Sequence, residues 1–432
     1  MDRTLVRNSI VIADPKNGES ERVSILLEGA TIAALGDEAD AASDKADTVL
    51  DMQGRIAIPG FVNAHMHSWQ TALRGIAMDW KLMEYLGNMH GRVMPAMKPE
   101  DVYIGTLAAA LGQLHCGVTT LGDWCHANLT PDHTDAGLRA LGEVGIRAVF
   151  MHAVPMGQGH ARDRVTELME HAAFQTSGLL SLGLAISGPL YSAPNIAEAD
   201  LALARDLGLP VSMHHSGPPA VPDEVWYDLI EKGLFGPGVN IVHANHMSDD
   251  LMQRLVDTGT TFTMTPEVEM NDGHGHPVTG RLMKKGGRPA IGIDIECAVS
   301  PGPVTAAVVA LSHQRAMDAG NEDAHPISRS DALDWITGAG AHALCKKDEI
   351  GKIAPGMQAD LTFIDSRSID LWPVNDPVAT VLRSGPGHVD TVMVAGRILK
   401  REKALVGQET GALLRDLSES GCRLVADAGL SI

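Results

Sequence analysis

The feature that most constrains the fold of this chain is a series of eight short strand-like segments in its middle, most of them separated by stretches that suit a helix. The strand-like segments are residues 56–67, 117–124, 146–151, 180–186, 210–215, 240–246, 260–266 and 290–294. A strand that is repeatedly followed by a helix is typical of the α/β class with a parallel sheet. Eight such repeats predict a (β/α)8 TIM barrel, which takes about 250 residues.

The two ends of the chain have a different pattern of predicted elements from the middle. Strand-like runs separated by turns occur at residues 9–13, 22–27 and 30–35, and again at 361–365 and 389–399, whereas the region from about 408 has helical spacing. Two β-rich ends around a large middle predict one small β-sandwich domain assembled from both termini. We therefore expect residues 1–57 and 351–432 to form a composite sandwich with a C-terminal helix, and residues 58–350 to form the barrel.

Composition narrows the class of partner. Of the 432 residues, 44% are apolar and 20% are charged, which predicts a packed core and little disorder. The net charge of −20 argues against nucleic acid or an anionic membrane surface as the partner. Five scattered cysteines without a C-x-x-C pair suit a reducing compartment, and no apolar run reaches membrane-spanning length. We expect a soluble cytoplasmic protein that acts on a small molecule.

Two histidines close the first strand-like segment. His65 and His67 are two residues apart, and side chains at this spacing point to the same side of an extended strand. Both imidazoles can therefore reach one metal ion. An H-x-H pair is short and common, so on its own it favours two unrelated histidines near a strand end.

Further polar residues end other predicted strands. His214 ends the fifth strand, His243 lies at the end of the sixth, and Asp294 ends the eighth. The C-terminal ends of TIM-barrel strands surround one site, so these side chains are expected to converge with His65 and His67. Burying a carboxylate such as Asp294 is costly unless it is paired or bound to a metal. Each residue alone has a structural explanation, but together they predict a metal site.

These motifs resemble the amidohydrolase superfamily, and within it the branch of cytosine deaminases and triazine hydrolases. The matching segments, which together span nearly the whole chain, are residues 59–67, 211–214, 242–244, 292–294 and 351–360. The resemblance implies that His65, His67, His214 and Asp294 bind the metal and that His243 lies beside the metal-bound water. It further implies that Asp294 and His243 are catalytic, Asp294 as the proton acceptor and His243 as the group that orients the water.

The fourth predicted strand determines the expected number of metal ions. Two-metal members of this superfamily carry a bridging lysine at the end of that strand, whereas residues 182–190 contain no lysine. We therefore expect one divalent metal ion. Three imidazoles and one carboxylate suit Zn2+, our first choice, or Fe2+. Enzymes of this resemblance often form homo-oligomers, and we expect the same here.

The fifth strand departs from the family pattern. Deaminases of this branch usually have a glutamate three residues after the metal-binding histidine, where it handles a ring-nitrogen proton, but Gly217 stands at that place after His214. Glu267 and Glu269, which follow the seventh strand, could supply a carboxylate instead, and a solvated loop is an equally good reading of both. His215 is a further candidate.

Four other residues are candidates for substrate contacts. Trp69 and Gln70 directly follow the H-x-H pair, so we expect them at the cavity wall, and Trp124 and His126 follow the second strand. Tryptophans beyond two strand ends suit stacking on a flat ring or an apolar group, or wedging between loops. The loop at 271–277 contains glycines and two histidines, and we read it as a mobile turn or lid in preference to a second metal site.

The sequence thus predicts a metal-dependent hydrolase of a non-peptide C–N bond in a small, neutral, cyclic or aromatic compound. Deamination or amine displacement by a metal-activated water is the first reading. Hydrolysis of an amide, urea or carbamate-type bond is the alternative, and the absence of the glutamate at position 217 favours it. The third option is a non-catalytic barrel used as a binding module, which a complete set of ligand residues disfavours.

Overall fold

The computed structural model describes residues 2–217, 221–322 and 325–430, and its centre is a sheet of eight parallel strands. In chain order they are Phe61–Met66, Val118–Cys125, Arg147–Ala153, Leu180–Ile186, Val211–His215, Val239–His243, Thr261–Met264 and Pro289–Ile291. Each strand pairs with the next one in sequence, and a parallel bridge between Met66 and Asp294 joins the eighth strand to the first. The predicted eight-stranded barrel is confirmed.

Every barrel strand is followed by at least one helix. The helices between the barrel strands are Leu82–Tyr85, Leu86–Val93 (π), Pro99–His115, Pro131–Val144, Arg162–Met169, Ala172–Thr176, Gly188–Tyr191, Pro194–Leu207, Asp223–Glu231, Asp249–Asp257, Pro266–Asn271 and Thr279–Lys284. The helices after the eighth strand are Pro303–Met317, Arg329–Trp335 and Gly338–Ala343. Sequence explains several boundaries, because Pro131–Val144 and Pro194–Leu207 each begin with proline and end before a left-handed glycine. Among the described helices, none combines the length and apolarity needed to cross a bilayer.

Two further sheets are built from the ends of the chain. One has the strand order Thr31–Leu35, Ile25–Glu28, Arg3–Arg7 and Thr48–Asp51, and the other has the order Ala404–Leu405, Arg397–Arg401, Val389–Val394, Leu361–Asp365, Arg55–Pro59, Ile10–Val11 and Glu21–Arg22. The second sheet mixes both ends, since Phe363 pairs with Ala57. Side chains of the two sheets share one core that includes Val6, Ile25 and Leu361. This confirms a terminal β-sandwich, while its exact boundaries at 57/58 and 350/351 stay a prediction.

The remaining helices are peripheral. They are Asp37–Ala41, Pro377–Leu382 and Thr410–Asp427, with short 3-10 turns at Ser43–Lys45, Ser68–Leu73, Met94–Ala96 and Pro386–His388. The helix predicted from about residue 408 is confirmed as Thr410–Asp427. It is fixed to the barrel helix Pro99–His115, because Ser420 Oγ donates to Asp101 Oδ1 at 2.7 Å and Arg423 pairs with the same carboxylate.

The sandwich is attached to the end of the barrel where the strands begin. Arg147, at the start of the third strand, forms a buried bidentate pair with Asp360, with Nε 2.7 Å from Oδ2 and Nη2 3.1 Å from Oδ1. Thr362 Oγ1 donates to the carbonyl of Gly117, which precedes the second strand. The sandwich therefore leaves the opposite end of the barrel, where the strands finish, free to hold a site.

Candidate active site

Four side chains meet at the C-terminal end of the barrel. Asp294 Oδ1 lies 3.3 Å from His65 Nε2 and 3.2 Å from His67 Nε2, and His65 Nε2 lies 3.2 Å from His214 Nε2. One potential ligand atom from each of the four residues lies within 4.8 Å of all the others. The structure thus brings together the four residues that the sequence nominated as metal ligands.

Hydrogen-bond chemistry shows whether these residues fit a cation. His67 Nδ1 lies 2.8 Å from the carbonyl oxygen of Trp124, which can only accept, so Nδ1 carries the proton. In a neutral ring the lone pair of Nε2 then faces the Asp294 carboxylate. His65 Nδ1 has no partner among the described residues. The lone pair of His67 Nε2 and the Asp294 carboxylate repel each other unless a cation lies between them, and three imidazoles with one carboxylate are a donor set that fits one divalent metal ion.

Burial sets the charges in this cluster. It lowers the pKa of His65 to about 4 and that of His214 well below its ordinary value, so both imidazoles are neutral at pH 7. Burial also acts to raise the pKa of Asp294, but the contacts with His65 and His67 outweigh it and hold the pKa well below its usual range. Neutral imidazoles with one ionised carboxylate are the protonation states that metal binding requires.

The backbone at the cluster is strained and firmly held. Asp294 has a φ of 68° and His243 a φ of 74°, in the left-handed region that non-glycine residues rarely adopt, at a cost of about 1 kcal/mol each. The main-chain N–H of Asp294 donates to the carbonyl of His65 at 3.0 Å, and that of His67 donates to the carbonyl of Asp294 at 2.8 Å. The bonds that close the barrel therefore also aim the Asp294 side chain at the two histidines.

His243 lies beside the cluster in a network of its own. Its Nε2 is 3.8 Å from Asp294 Oδ2, and its Nδ1 is 3.1 Å from Thr265 Oγ1 and 3.4 Å from Glu269 Oε1. Thr265 Oγ1 also lies 3.4 Å from Asp294 Oδ2, and the main-chain N–H of Thr265 donates to Glu269 Oε1 at 2.8 Å. Burial lowers the pKa of His243 to about 4 and raises that of Glu269 to about 7. The contacts with Thr265, Glu269 and Asp294 fix the orientation of the His243 ring.

A cavity of about 390 Å³ opens above the cluster. Apolar side chains such as Leu86, Met94 and Ile186 form much of its wall. Among its described lining residues the charged side chains are the carboxylates Asp272 and Asp294, and no lysine or arginine is present. This cavity suits a ligand that is small, uncharged and largely apolar.

Of the four substrate residues predicted just after the first two strands, two line the cavity and two do not. Trp124 and His126 line the cavity, and the Trp124 ring lies 4.1 Å from that of His214. Trp69 and Gln70 do not stand at the wall that we expected, because the 3-10 turn Ser68–Leu73 carries both of them behind it. Trp69 is fully buried, and Gln70 donates to the hydroxyl of Tyr85 at 2.6 Å.

His215 and Glu267 also lie away from the cavity. Successive residues of a strand point to opposite faces, so His214 faces the cluster while His215 packs against Trp226 at 5.4 Å. Glu267 and Glu269 are two apart on one helix and therefore face nearly opposite directions. Glu269 reaches His243, whereas Glu267 lies in a separate groove, where Ser300 Oγ donates to it at 3.2 Å.

Several polar residues that the sequence did not nominate line the cavity. They include Tyr85, His90, Asp272 and His274. Tyr85 and His90 come from the helical segment after the first strand, which carries no motif. Asp272 and His274 belong to the 271–277 loop that we read as a mobile turn or lid, and a Gly-His-Gly-His run beyond a barrel strand end was the signal that could have marked them. Among the described residues this loop forms no three-residue metal cluster.

Comparison with known proteins agrees with this geometry. The sequence pattern of the amidohydrolase family matches residues 56–399. A 5-methylthioadenosine/S-adenosylhomocysteine deaminase of Acetivibrio thermocellus is 30% identical over 386 residues, which cover 85% of this chain and 86% of that protein. An adenosine deaminase from Xanthomonas campestris with bound zinc superimposes with a TM-score of 0.84 at 22% identity, covering 98% of both chains.

A second solved structure has the same fold. Atrazine chlorohydrolase from Arthrobacter aurescens in complex with zinc gives a TM-score of 0.85 at 21% identity, covering 97% of this chain and 100% of that one. At this identity the two solved structures establish the fold, whereas the family match and the deaminase relative establish descent. The prediction of a metal-dependent hydrolase acting on carbon–nitrogen bonds is confirmed, as is the resemblance on which it was based. The chain belongs to the amidohydrolase family.

Proposed function

We propose that this protein is a zinc-dependent deaminase that removes an amino group from an uncharged nitrogen heterocycle. The observation that carries the proposal is the convergence of His65, His67, His214 and Asp294 at the floor of an apolar cavity with no lining cation among the described residues. The deaminase names of the Acetivibrio thermocellus and Xanthomonas campestris proteins support deamination as the reaction. The zinc in two solved structures supports the choice of metal.

The four ligand residues would hold the metal, which supplies hydroxide at neutral pH by lowering the pKa of a water molecule. Asp294 has two oxygens with different surroundings: Oδ1 faces His65 and His67, and Oδ2 faces Thr265 and His243. Because Asp294 is ionised at neutral pH, Oδ2 can accept a proton from the attacking water and pass it to the departing amine.

The tautomer of His243 follows from its neighbours. Thr265 Oγ1 donates to Asp294 Oδ2, so it can only accept from His243 Nδ1, which must then carry the ring proton. That leaves His243 Nε2 as an acceptor, 3.8 Å from Asp294 Oδ2. The imidazole is thus arranged to orient the attacking water by accepting one of its protons in a hydrogen bond.

The cavity restricts the substrate class. A substrate with a carboxylate or phosphate would bring its negative charge against Asp272 and Asp294, with no described lysine or arginine in the wall to pair it. Uncharged aminopyrimidines, aminotriazines and adenine nucleosides such as 5-methylthioadenosine meet the requirement.

Hydrolysis of an amide, urea or carbamate-type bond is the second candidate, and Gly217 is the observation that favours it. Gly217 has a φ of 80° and provides no carboxylate three residues after His214. A side chain at this position would be strained, so the loop is not arranged to present a glutamate there. Substrates that lack a ring nitrogen need no such group.

The class of substrate that is turned over separates the two candidates. Protein loaded with zinc is incubated with uncharged aminopyrimidines, aminotriazines and adenosine, and separately with uncharged amides, ureas and carbamates, with Asp294→Asn as the inactive control. Turnover of ring amines supports the proposal, and turnover confined to acyclic substrates supports the second candidate. No turnover of any compound by protein with one zinc per chain would favour the binding module instead.

Cytoplasmic location and homo-oligomeric assembly belong to the same proposal. Their support is the scattered free cysteines and the resemblance to oligomeric barrel enzymes. Cell fractionation and light scattering coupled to size-exclusion chromatography test them. A secreted protein or a monomer at micromolar concentration would contradict them.

A further inference from the structure

His274 has an unusual environment for a buried polar side chain. It is 3% exposed, and neither Nδ1 nor Nε2 has a hydrogen-bond partner in the described part of the chain. Buried side-chain polar atoms nearly always have a partner, so an imidazole with two unpaired nitrogens needs an explanation. Because His274 lines the cavity above the metal cluster, a bound molecule can provide the missing partner.

The position of His274 relates it to the reacting groups. Its ring contacts that of His243 edge to face, with 4.8 Å between centroids and an interplanar angle of 83°. His243 in turn lies 3.8 Å from Asp294. A flat ring held above the metal cluster would therefore have His274 at its edge. Only the His243 side chain would separate His274 from Asp294, the group that transfers the proton.

The loop that carries His274 is anchored on both sides. The main-chain N–H of Gly275 donates to the carbonyl of Glu269 at 3.1 Å, and Asn245 Nδ2 donates to the carbonyl of His276 at 2.9 Å. Gly273 and Gly275 have φ values of 81° and 130°, which permit the tight path that turns the His274 side chain inward. The ring is thus placed before any ligand arrives.

Burial lowers the pKa of His274 to about 4, so the ring is neutral at pH 7. A neutral imidazole offers one N–H donor and one acceptor. Asp272 also lines the cavity and has one oxygen, Oδ2, without a partner, and burial raises the pKa of this carboxyl to about 7, so only part of the population carries a proton to donate at neutral pH. The neutral His274 ring keeps one N–H donor throughout this pH range, which makes it the better group to donate a hydrogen bond to a ring nitrogen.

The carboxylates that the sequence offered for this task do not line the cavity. Position 217 is glycine, Glu267 lies in a separate groove, and Glu269 is buried behind His243. When water adds to a ring carbon, the C=N bond opens and negative charge develops on the adjacent nitrogen. A donor aimed at that nitrogen stabilises the charge.

We propose that the N–H of His274 donates a hydrogen bond to the substrate ring nitrogen next to the carbon under attack, which makes His274 a catalytic residue. The inference rests on the proposed deamination. One proton of the water passes by way of Asp294 Oδ2 to the amine, and hydroxide adds to the carbon as the C=N electron pair moves to nitrogen. The amine then leaves as ammonia and the C=N bond re-forms. His274 keeps its proton throughout.

Binding of two inert rings tests the contact without turnover. Pyrimidine and benzene have the same shape and no amine to lose, so their affinities for zinc-loaded protein can be compared by ligand-observed NMR. His274→Leu should shift the affinity ratio toward benzene by about tenfold, the worth of one good hydrogen bond. His274→Asn, which keeps an N–H donor, should restore part of the preference. His276→Leu, on the exposed side of the same loop, should leave the ratio unchanged.

Kinetics on a ring amine complete the test. His274→Leu should lower kcat/KM by about 100- to 1,000-fold while zinc content stays at the wild-type level. An unchanged affinity ratio in His274→Leu overturns the inference whether or not the wild type hydrolyses ring amines. Equal turnover by wild type and His274→Leu also overturns it and leaves the deaminase proposal intact. A ratio that depends on His274, together with no turnover of ring amines, overturns the deaminase proposal and leaves a ring-nitrogen site at His274.

Discussion

His67 Nε2 lies 3.2 Å from Asp294 Oδ1, while Nδ1 of the same His67 ring lies 2.8 Å from the carbonyl of Trp124. The carbonyl accepts a hydrogen bond from the Nδ1 proton, so in a neutral ring the lone pair of Nε2 faces the carboxylate across the short contact. A main-chain hydrogen bond between the same two residues, 2.8 Å from His67 N to Asp294 O, joins the first and eighth strands. The proposed metal site and the closure of the barrel therefore depend on the same pair.

Metal removal should destabilise the fold as well as stop turnover. Without a cation the acceptors of His65, His67, His214 and Asp294 are left facing one another. A ligand present at 100 times its Kd stabilises the native state by about 2.7 kcal/mol, and chelation removes that contribution. Thermal unfolding should show a lower midpoint with chelator, and the midpoint should recover when zinc is restored. A midpoint that does not respond to chelation contradicts a structural connection between metal and barrel.

Asp294→Asn should abolish turnover in a folded protein. The amide keeps the size of the carboxylate but cannot accept the proton that Oδ2 receives, and loss of a positioned base typically costs about 100- to 10,000-fold in rate. Circular dichroism provides the control for folding, and metal content shows whether the ligand position survives. Retained turnover would remove Asp294 from the reaction.

Thr265 should act by holding His243 and Asp294 in place. Its hydroxyl lies 3.1 Å from His243 Nδ1 and 3.4 Å from Asp294 Oδ2. Thr265→Val removes that bridge with little change in volume, and comparable losses around metal sites cost about 10- to 100-fold in activity. Thr263→Val is the matched control, since Thr263 is buried on the strand that ends just before Thr265 but donates to Asn240 instead. Similar kcat values for the two variants would show that the bridge has no role.

Lys400 should make stability depend on alkaline pH. Its Nζ donates to the carbonyls of His115 and Pro386, and burial lowers its pKa to about 8. The unfolded chain, with a lysine pKa of about 10.4, holds the proton more tightly, so the charge favours unfolding below pH 8. Stability should then rise by up to about 3 kcal/mol as pH increases from about 8 to 10.4.

The control for Lys400 is a variant without the titrating group. Lys400→Met should lack the rise, so the free energy of unfolding of the wild type should increase relative to the variant between pH 7.5 and pH 10. Urea denaturation at the two pH values measures the difference. Parallel behaviour of both proteins would mean that Lys400 is solvated enough to keep its ordinary pKa.

Strand periodicity explains what the sequence could predict. Residues that end buried strands of a barrel are brought together by the fold itself, so His65, His214 and Asp294 could be placed without coordinates. The same alternation places His214 toward the centre and His215 away from it, although both were candidates. The barrel and the terminal sandwich were predictable from such strand patterns, and the family was predictable from its motifs. The metal and catalytic roles of these residues remain proposals.

Loop residues were less predictable, because their direction depends on local turns. Trp69 and Gln70 are carried behind the cavity wall by a 3-10 turn that no periodic pattern announces. His274 enters the wall from a glycine-containing loop that we read as a lid, since the hydrogen bonds that anchor it come from residues distant in sequence, such as Asn245. Strand ends could thus be predicted, whereas side chains presented by turns required the structure.

Metal content per chain is the measurement that tests the central claim most directly. Elemental analysis of protein purified without added metal should find about one zinc per chain, because the described ligand atoms form one compact cluster. His214→Ala should lose the metal together with turnover, whereas His215→Ala, which alters the neighbour that faces Trp226, should retain the metal. Absence of metal from the wild type even after reconstitution, or equal metal in both variants, would contradict the account.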